Sequence, residues 1–333
     1  MLDSTILLKA WQLICTSRSM ADLYENNRQV CKYVHSTSRG HEAIQIATGM
    51  QLLPCDYVSP YYRDDSLLLS MGFSPFELML QLLAKKEDSF SGGRSYYCHP
   101  SSRDNTKAKI IHQSSATGMQ AIPTTGVAQG LQFLEQNNYP QLQKGASGEL
   151  PVVVCSLGDN SVTEGEVSEA LQFAALKQLP VIFLVQDNNW GISVTAAEAR
   201  SMNAYEFAQG FKGLERMKTD GSDFVASYET MGQAIDFVRT QRKPVLVHAT
   251  VPLLGHHTSG VRKEFYRTKD DLDAHALRDP YQKLYKTLLQ AGISETHIHS
   301  LSGEAAALAA SSFEKAKAAP EPSPDSVADH VFA

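Results

Sequence analysis

The pattern of apolar and polar positions is clearest between Leu150 and Thr195. Val152 to Leu157 is an apolar run rich in β-branched residues, Thr163 to Lys177 reads as a helix, and Val181 to Val185 is a second apolar run. Short apolar runs on either side of a helix predict strand, helix, strand with the two strands parallel. That unit puts Asp159 at the carboxyl end of the first strand. Asp187, Asn188 and Asn189 lie at the carboxyl end of the second, so both polar clusters share one rim. In an open α/β sheet that rim is where ligands bind.

The same reading extends along the chain. Residues 2–35 are mostly helical in pattern, with Leu7, Leu8, Trp11, Ile14 and Cys15 near helical spacing and no evident chemistry. Gly40, His41, Glu42 and Ala43 open an apolar helix, an extended stretch precedes Tyr62 and Arg63, and residues 88–109 form a polar loop containing His99. Loops that long are usually functional or disordered. Small residues lead up to Pro123, and from Thr124 an apolar helix runs through Val127, Leu131 and Leu134. Tyr228 to Thr240 reads as helix and Pro244 to Val251 as a further parallel strand, which leads into the pair His256-His257. One more helix follows Asp279-Pro280, and from Lys315 the chain turns to Pro, Ala, Ser and charge, a linker composition. The pattern divides the chain into a helical segment at 1–35, an α/β domain at 36–314 and a tail or linker at 315–333. The expected domain is a mostly parallel sheet with helices on both faces.

Composition then narrows the function. A chain of 333 residues with 43% hydrophobic content can bury a large core, and its net charge of −6 argues against a nucleic-acid partner. No apolar run approaches the roughly 20 residues that cross a membrane, and the N-terminus lacks the basic and apolar regions of a secretory signal. Five scattered cysteines with no CxxC pair point to a reduced, soluble, cytoplasmic protein. No GxGxxG follows the strand at Leu157, which removes the dinucleotide signature.

What remains is the chemistry of the rim. Gly158 frees the backbone at the turn, and Ser161 with Glu164 has the spacing of a capping box, with Thr163 and Glu166 as a second register. The helix N-terminus suits an anion. Its dipole contributes only about 0.3–1 kcal/mol, whereas a cation about 4 Å from a unit negative charge is worth roughly 4 kcal/mol at an effective dielectric of about 20. For a polyphosphate, a metal must do most of the holding, and Asp159 and Asn188 are hard oxygen ligands of the kind magnesium takes. Taken singly, each residue has a plainer use. Asp159 can cap a helix, Asn188-Asn189 can form a turn, Arg63 can pair with Asp64 or Asp65 at the surface, and His99 and His257 can be solvated loop residues.

Read together, GDN at 158–160 and TEGEVSEALQFAALKQLPVIFLVQDNNWGIS at 163–193 resemble the thiamine diphosphate signature. They are most similar to that of the alpha subunits of 2-oxo acid dehydrogenases, the decarboxylating component of those complexes. The resemblance covers about residues 20 to 330 in four ordered motifs. It implies the thiamine diphosphate-binding fold, with thiamine diphosphate and Mg2+ as cofactors. Asp159, Asn188 and the backbone carbonyl of Trp190 become metal ligands; Gly158, Asn160 and Ser161 belong to the cofactor motif; Tyr62 and Arg63 reach the diphosphate; Ala116 and Gly118 hold the aminopyrimidine ring; His99 and His257 take active-site positions. Gly255-His256-His257, the hydroxyl residues after it and Tyr266-Arg267 are similar to branched-chain members. This implies oxidative decarboxylation of a branched-chain 2-oxo acid such as 2-oxoisovalerate, with acyl transfer to lipoyl groups of the acyltransferase. Pyruvate and acetoin are the alternative substrates, and a nonenzymatic scaffold of the same fold is the alternative function.

Several positions depart from the family pattern. Asn160 stands where Gly is common, which Asn's tolerance of unusual backbone angles would allow. Gly118 replaces a bulkier aliphatic residue, with Met119 able to substitute; Val261 and Arg262 replace an acidic pair; and Gln186 and Leu253 replace basic residues, which removes two cationic positions near the diphosphate. Thr268 takes a position that is a phosphorylatable serine in some relatives. The glutamate that activates the cofactor belongs to the beta subunit in the two-subunit family, and no residue here matches it. The expectation is a heterotetramer with a beta subunit, or a fused beta domain, and a chain that is inactive by itself. The Pro/Ala-rich text ending on Val331-Phe332-Ala333 resembles the joint of fused alpha and beta halves. Mass spectrometry of the native protein is expected to find a chain extending past Ala333; a mature chain ending there would count against fusion, though not against a separate beta partner.

Overall fold

The structure is a computed structural model and describes residues 2–111 and 116–329. The first part of the chain gives α1 (Ser4–Asn26), α2 (Glu42–Gly49), β1 (Tyr57–Ser59), α3 (Asp65–Ser70), α4 (Pro75–Leu82), β2 (Lys109–Ile110) and α5 (Ala121–Gln136). The central unit is β3 (Val153–Gly158), α6 (Gly165–Lys177) and β4 (Val181–Asp187), followed by a small hairpin of β5 (Trp190–Gly191) and β6 (Val194–Thr195). Then come α7 (Ala196–Ala199), α8 (Ala204–Phe207), β7 (Glu215–Asp220), α9 (Phe224–Gln241), β8 (Val245–Thr250), α10 (Lys269–Ala276), α11 (Pro280–Gln290) and α12 (Glu295–Ala318).

Six strands form one sheet in the order β2-β1-β3-β4-β8-β7, and every pairing in it is parallel. Helices cover both faces, which is why the central strands β3 and β4 are buried almost throughout rather than alternating, whereas the edge strand β7 is polar and partly exposed. Successive side chains of a strand point to opposite faces. Val153, Cys155, Leu157, Val181, Phe183 and Val185 pack with α5 and α6, whereas Val154, Ile182, Leu184, Val245 and Val247 pack with α1, α2, α9 and α12 on the other side. This is the α/β architecture that the periodicity predicted.

The N-terminal helix packs into the main core: Trp11 is fully buried and its indole N–H donates to the Ile298 carbonyl at 3.0 Å. Two local expectations change. Two helices, not one, follow Pro280, because Gly292 takes a left-handed φ of +80° and Ser294 caps a new start by accepting from the His297 N–H. The last helix continues through Lys315 to Ala318, and the described tail is fastened down rather than free. Lys85 pairs with Glu321, the Lys86 N–H donates to the Pro320 carbonyl at 3.0 Å, and Arg94 donates to the Ser326 carbonyl at 2.6 Å.

The site follows from the strand order. From β1 the chain leads outward to β2, and from its neighbour β3 it leads the other way to β4, so a crevice opens between them at their carboxyl ends. One wall of that crevice depends on a close backbone crossing. Gly40, with φ +102°, lies so near Pro252 that a Cβ there would overlap the Pro252 carbonyl oxygen. The approach lets the Leu254 N–H donate to the Arg39 carbonyl at 3.1 Å, which ties the turn before α2 to the loop after β8. Gly40→Ala is expected to cost at least about 1–3 kcal/mol from backbone strain alone, read as a lower denaturation midpoint; an unchanged midpoint would show that this crossing is not a constraint.

Candidate functional site

A cavity of about 540 Å3 lies at the carboxyl ends of the central strands. Tyr62, His99, Asn160 and His257 line it, together with Glu164 and an apolar wall of Val34, Tyr96 and Ile192. Gly158 ends β3 and Asp159 and Ser161 follow it, Asn188 follows β4, Trp190 opens β5 next to the cavity-lining Gly191, and Arg63 follows the cavity-lining Tyr62. Folding has thus brought into one place residues that the chain scatters over almost two hundred positions.

Arg63 is the most informative of them. It is 1% exposed, yet among the described residues no carboxylate reaches its guanidinium. Nη2 donates to the His257 carbonyl at 3.1 Å, Nη1 to the Thr37 carbonyl at 3.5 Å, and the buried Nε has no partner. The surface ion pair suggested by Asp64 and Asp65 does not form. Asp64 turns inward to accept from the Tyr61 N–H at 3.0 Å and from Gln45 and Gln186, and Asp65 accepts from the Ser38 N–H at 2.9 Å. An unpaired buried charge costs several kcal/mol, and two carbonyl oxygens leave this guanidinium uncompensated. The Tyr62 ring lies 5.4 Å from it, and the Tyr62 hydroxyl is 3.5 Å from His257 Nε2.

The carboxylate side is built on β3 and β4. Asp159 is 3% exposed, and Arg200, from the segment after α7, donates to its Oδ2 and holds both oxygens of Asp187 at 2.7 and 2.8 Å. His248 on β8 lies 2.9 Å from Asp187. Burial and the neighbouring Asp187 push the Asp159 carboxyl up to about 7, with Arg200 opposing. Burial pushes Asp187 up as well, but His248 and Arg200 outweigh it and hold it below the usual carboxylate range. Asn188 Oδ1 accepts the Trp190 N–H at 2.9 Å, and its amide nitrogen lies 3.1 Å from His41 Nε2. A carboxylate, an amide oxygen and the Trp190 carbonyl form a set of hard oxygen donors, and the unpaired Arg63 stands ready for an anion. These residues fit a diphosphate held with a hard cation.

The turn between strand and helix differs from its predicted form. Residues 159–163 make a turn of 3₁₀-helix, the Ser161 hydroxyl donates to the Gly158 carbonyl, and α6 starts at Gly165 without a side-chain cap. Neither capping box forms, because the extra turn moves Ser161 out of reach of the helix start and leaves Glu164 on the cavity wall. Asn160 keeps ordinary helical backbone angles, so left-handed tolerance is not what it supplies; its side chain lies against the Cα of Gly191, where any Cβ would collide with it. The left-handed asparagine is Asn189, with φ +65°.

His257 is buried beside Arg63. Burial first, then the Arg63 charge, push its imidazole down to about 3, so the ring is neutral, and its Nδ1 has no hydrogen-bond partner. His99 is half-buried, with Nδ1 2.9 Å from the Tyr97 carbonyl. Thr117 lines the cavity, while Ala116 and Gly118 flank it. Gly118 has φ +84° and packs against Glu164 and Val167, so its lack of a side chain serves the contact with α6.

Sequence reasoning missed Arg200 altogether and gave no role to His41 or His248. His248 carried a signal, a lone polar residue in the apolar run Val245 to Thr250 that must find a partner when buried. Arg200 carried none: nothing in its neighbourhood of the chain says that it reaches both the carboxylate that follows β3 and the one that ends β4.

Fold and cleft define an α/β protein with a partly polar cavity at the carboxyl ends of parallel strands. The chain belongs to the dehydrogenase E1 component family, whose model matches residues 14–325. Its parallel α/β architecture is accordingly the thiamine diphosphate-binding fold. It is 29% identical to 2-oxoisovalerate dehydrogenase subunit alpha 1, mitochondrial, of Arabidopsis thaliana over 79% of this chain and 52% of that one. It is 27% identical to 2-oxoisovalerate dehydrogenase subunit alpha of Bacillus subtilis over 89% and 85% of the two chains. A similar likeness, 29% over 88% and 83%, links it to pyruvate dehydrogenase E1 component subunit alpha of Porphyra purpurea. The match thus spans about half the length of the Arabidopsis subunit.

If Arg63 waits for an anion, Arg63→Met should not destabilise the unliganded protein, since it removes an unpaired buried charge. The same change should weaken inorganic diphosphate binding by at least about 30-fold, the equivalent of about 2 kcal/mol for a truncated buried charge pair. Chemical denaturation and titration calorimetry measure the two effects, and a strongly destabilised variant with unchanged affinity would refute the assignment.

Proposed function

We propose that this chain is the alpha part of a thiamine diphosphate-dependent 2-oxo acid decarboxylating component. It provides the diphosphate- and magnesium-binding half of a site shared with a beta subunit or fused beta domain. The observation that carries this reading is the buried guanidinium of Arg63, which no carboxylate among the described residues pairs. In this reading Tyr62 and Arg63 hold terminal diphosphate oxygens, and Arg63 offers paired planar donors that suit them. Asp159, Asn188 and the Trp190 carbonyl hold the magnesium, and the cation's charge favours the ionised form of Asp159. Gly158, Asn160 and Ser161 shape the turn against the diphosphate, and Ala116 and Gly118 flank the ring. When bound, thiamine diphosphate supplies a nucleophilic thiazolium carbon and an electron sink for loss of carbon dioxide.

The chain's own groups then have definite tasks. An anion on Arg63 cancels one of the two causes that depress His257, so its imidazole moves back towards the range where proton transfer near neutral pH is efficient. His99 enters the cavity from the opposite loop and can hydrogen-bond a reacting oxygen. Val34, Tyr96 and Ile192 give the substrate side chain an apolar wall, which suits a branched aliphatic 2-oxo acid. The acyl product passes to a lipoyl group of the acyltransferase.

A partner is supported by the outer face of α5. Ile122 and Phe133 are 41% and 55% exposed there, with Gly126 and Gly130 between them open to close approach. Contiguous exposed apolar surface of this kind marks interaction sites.

A second reading, a scaffold of the same fold, is favoured by one observation: Arg200 already neutralises Asp159. Titration calorimetry with thiamine diphosphate and Mg2+ on the native assembly separates the two, since a scaffold gives no binding. The enzyme reading expects 2-oxoisovalerate decarboxylation by the assembly, with a higher kcat/KM than for pyruvate or acetoin, and none by the isolated chain. Preference for pyruvate would reassign the substrate, and activity of the isolated chain would remove the shared site.

A further inference from the structure

We propose that His41 is the positioning residue for Asn188, fixing through Gln186 which face of the Asn188 amide is turned to the metal. The inference rests on the magnesium reading of Asp159, Asn188 and Trp190, and it follows from the direction of a buried hydrogen-bond chain. Both His41 and Gln186 are fully buried, and Asn188 nearly so.

The chain starts at Asp64, whose carboxylate only accepts. Gln186 Nε2 gives one hydrogen to Asp64 Oδ1 and the other to Ser156 Oγ, both at 2.9 Å. Its Oε1 must then face the other way, where it accepts from Gln45 Nε2 at 2.9 Å and from His41 Nδ1 at 2.9 Å. The His41 proton is therefore on Nδ1, with the Tyr61 hydroxyl also 3.5 Å away. A neutral imidazole protonated at Nδ1 has its lone pair on Nε2. The group facing that lone pair is the Asn188 amide, 3.1 Å distant, so Asn188 presents its NH2 to His41. Its oxygen is turned to the rim, accepting the Trp190 N–H at 2.9 Å and keeping a second lone pair for a cation. The flipped amide would set oxygen against the Nε2 lone pair, its NH2 against the Trp190 N–H and a nitrogen towards the metal. The Trp190 N–H can only donate, so the Asn188 oxygen that accepts it leaves the NH2 facing Nε2, and that contact requires a neutral ring.

Partners behind a metal ligand commonly alter metal affinity by about 10–100-fold when removed. A double-mutant cycle on the native assembly tests the assignment, with Mn2+ as the probe in the presence of thiamine diphosphate and its electron paramagnetic resonance signal as the readout. His41→Phe is expected to weaken Mn2+ binding by about 10–100-fold. In an Asn188→Asp background the same change is expected to cost no more than about threefold, because a carboxylate has no wrong face and the two positions uncouple. An equal loss in both backgrounds would mean a general structural effect and would overturn the proposal, as would no loss in the first. Gln186→Met, which removes the acceptor that sets the tautomer, gives an independent arm of the same cycle should His41→Phe fail to assemble. If the unaltered protein binds no Mn2+, the magnesium reading falls, and this inference with it; unaltered binding with a failed cycle removes this inference alone.

Discussion

Arg63 is a fully buried cation whose two neighbouring carboxylates point away from it, and the cleft is arranged around that cost. Asp64 and Asp65 are committed elsewhere, to the amides of Gln45 and Gln186 and to the Ser38 backbone. Carbonyl oxygens from Thr37 and His257 soften the charge but do not neutralise it. A protein of marginal stability keeps such a group only if something else repays it. In the function proposed above a bound anion offsets it; burial first, and then the same charge, keep the adjacent His257 neutral.

Across the rim the balance is reversed. Asp159 and Asp187 are two buried carboxylates that share Arg200, with His248 steadying the second. Arg200 grips Asp187 with two bonds and Asp159 with one, so Asp159 is the less satisfied of the pair. Its place at the end of β3, next to the Asn188 amide at the end of β4, makes it the carboxylate available to a cation. In the proposed reading, one side takes the anion and the other the cation of a metal-bound polyphosphate.

The rest of the fold holds these groups still. The sheet sets the carboxyl ends side by side, and the crossing of Gly40 over Pro252 locks the start of α2 to the loop that carries His257. α1 and α12 close the core behind α2, and the tail beyond α12 is pinned to residues 85–94, at the root of the loop that brings His99 to the cavity. Sites are most accurately held on rigid elements supported from behind, and Arg63, Asp159, Asn188 and His41 all stand at element ends or the turns that adjoin them.

The sequence by itself determined the central unit. A fully buried parallel strand must be apolar throughout, so Val152–Leu157 and Val181–Val185 were legible, and with them the positions of Asp159 and Asn188 on one rim. The family motifs then placed Tyr62, Arg63, His99 and His257 near that rim. Tertiary structure decided what local spacing does not encode. Ser161 and Glu164 have capping-box spacing, but a turn of 3₁₀-helix intervenes, with Asn160 packed against Gly191. Arg63 sits beside two aspartates in the chain and pairs with neither, because folding sends those carboxylates inward. Arg200, His41 and His248 meet their partners across strands and helices far apart in sequence. Periodicity reports which face of an element is buried, whereas hydrogen bonds and ion pairs depend on distances between elements, and those exist only after the chain has folded.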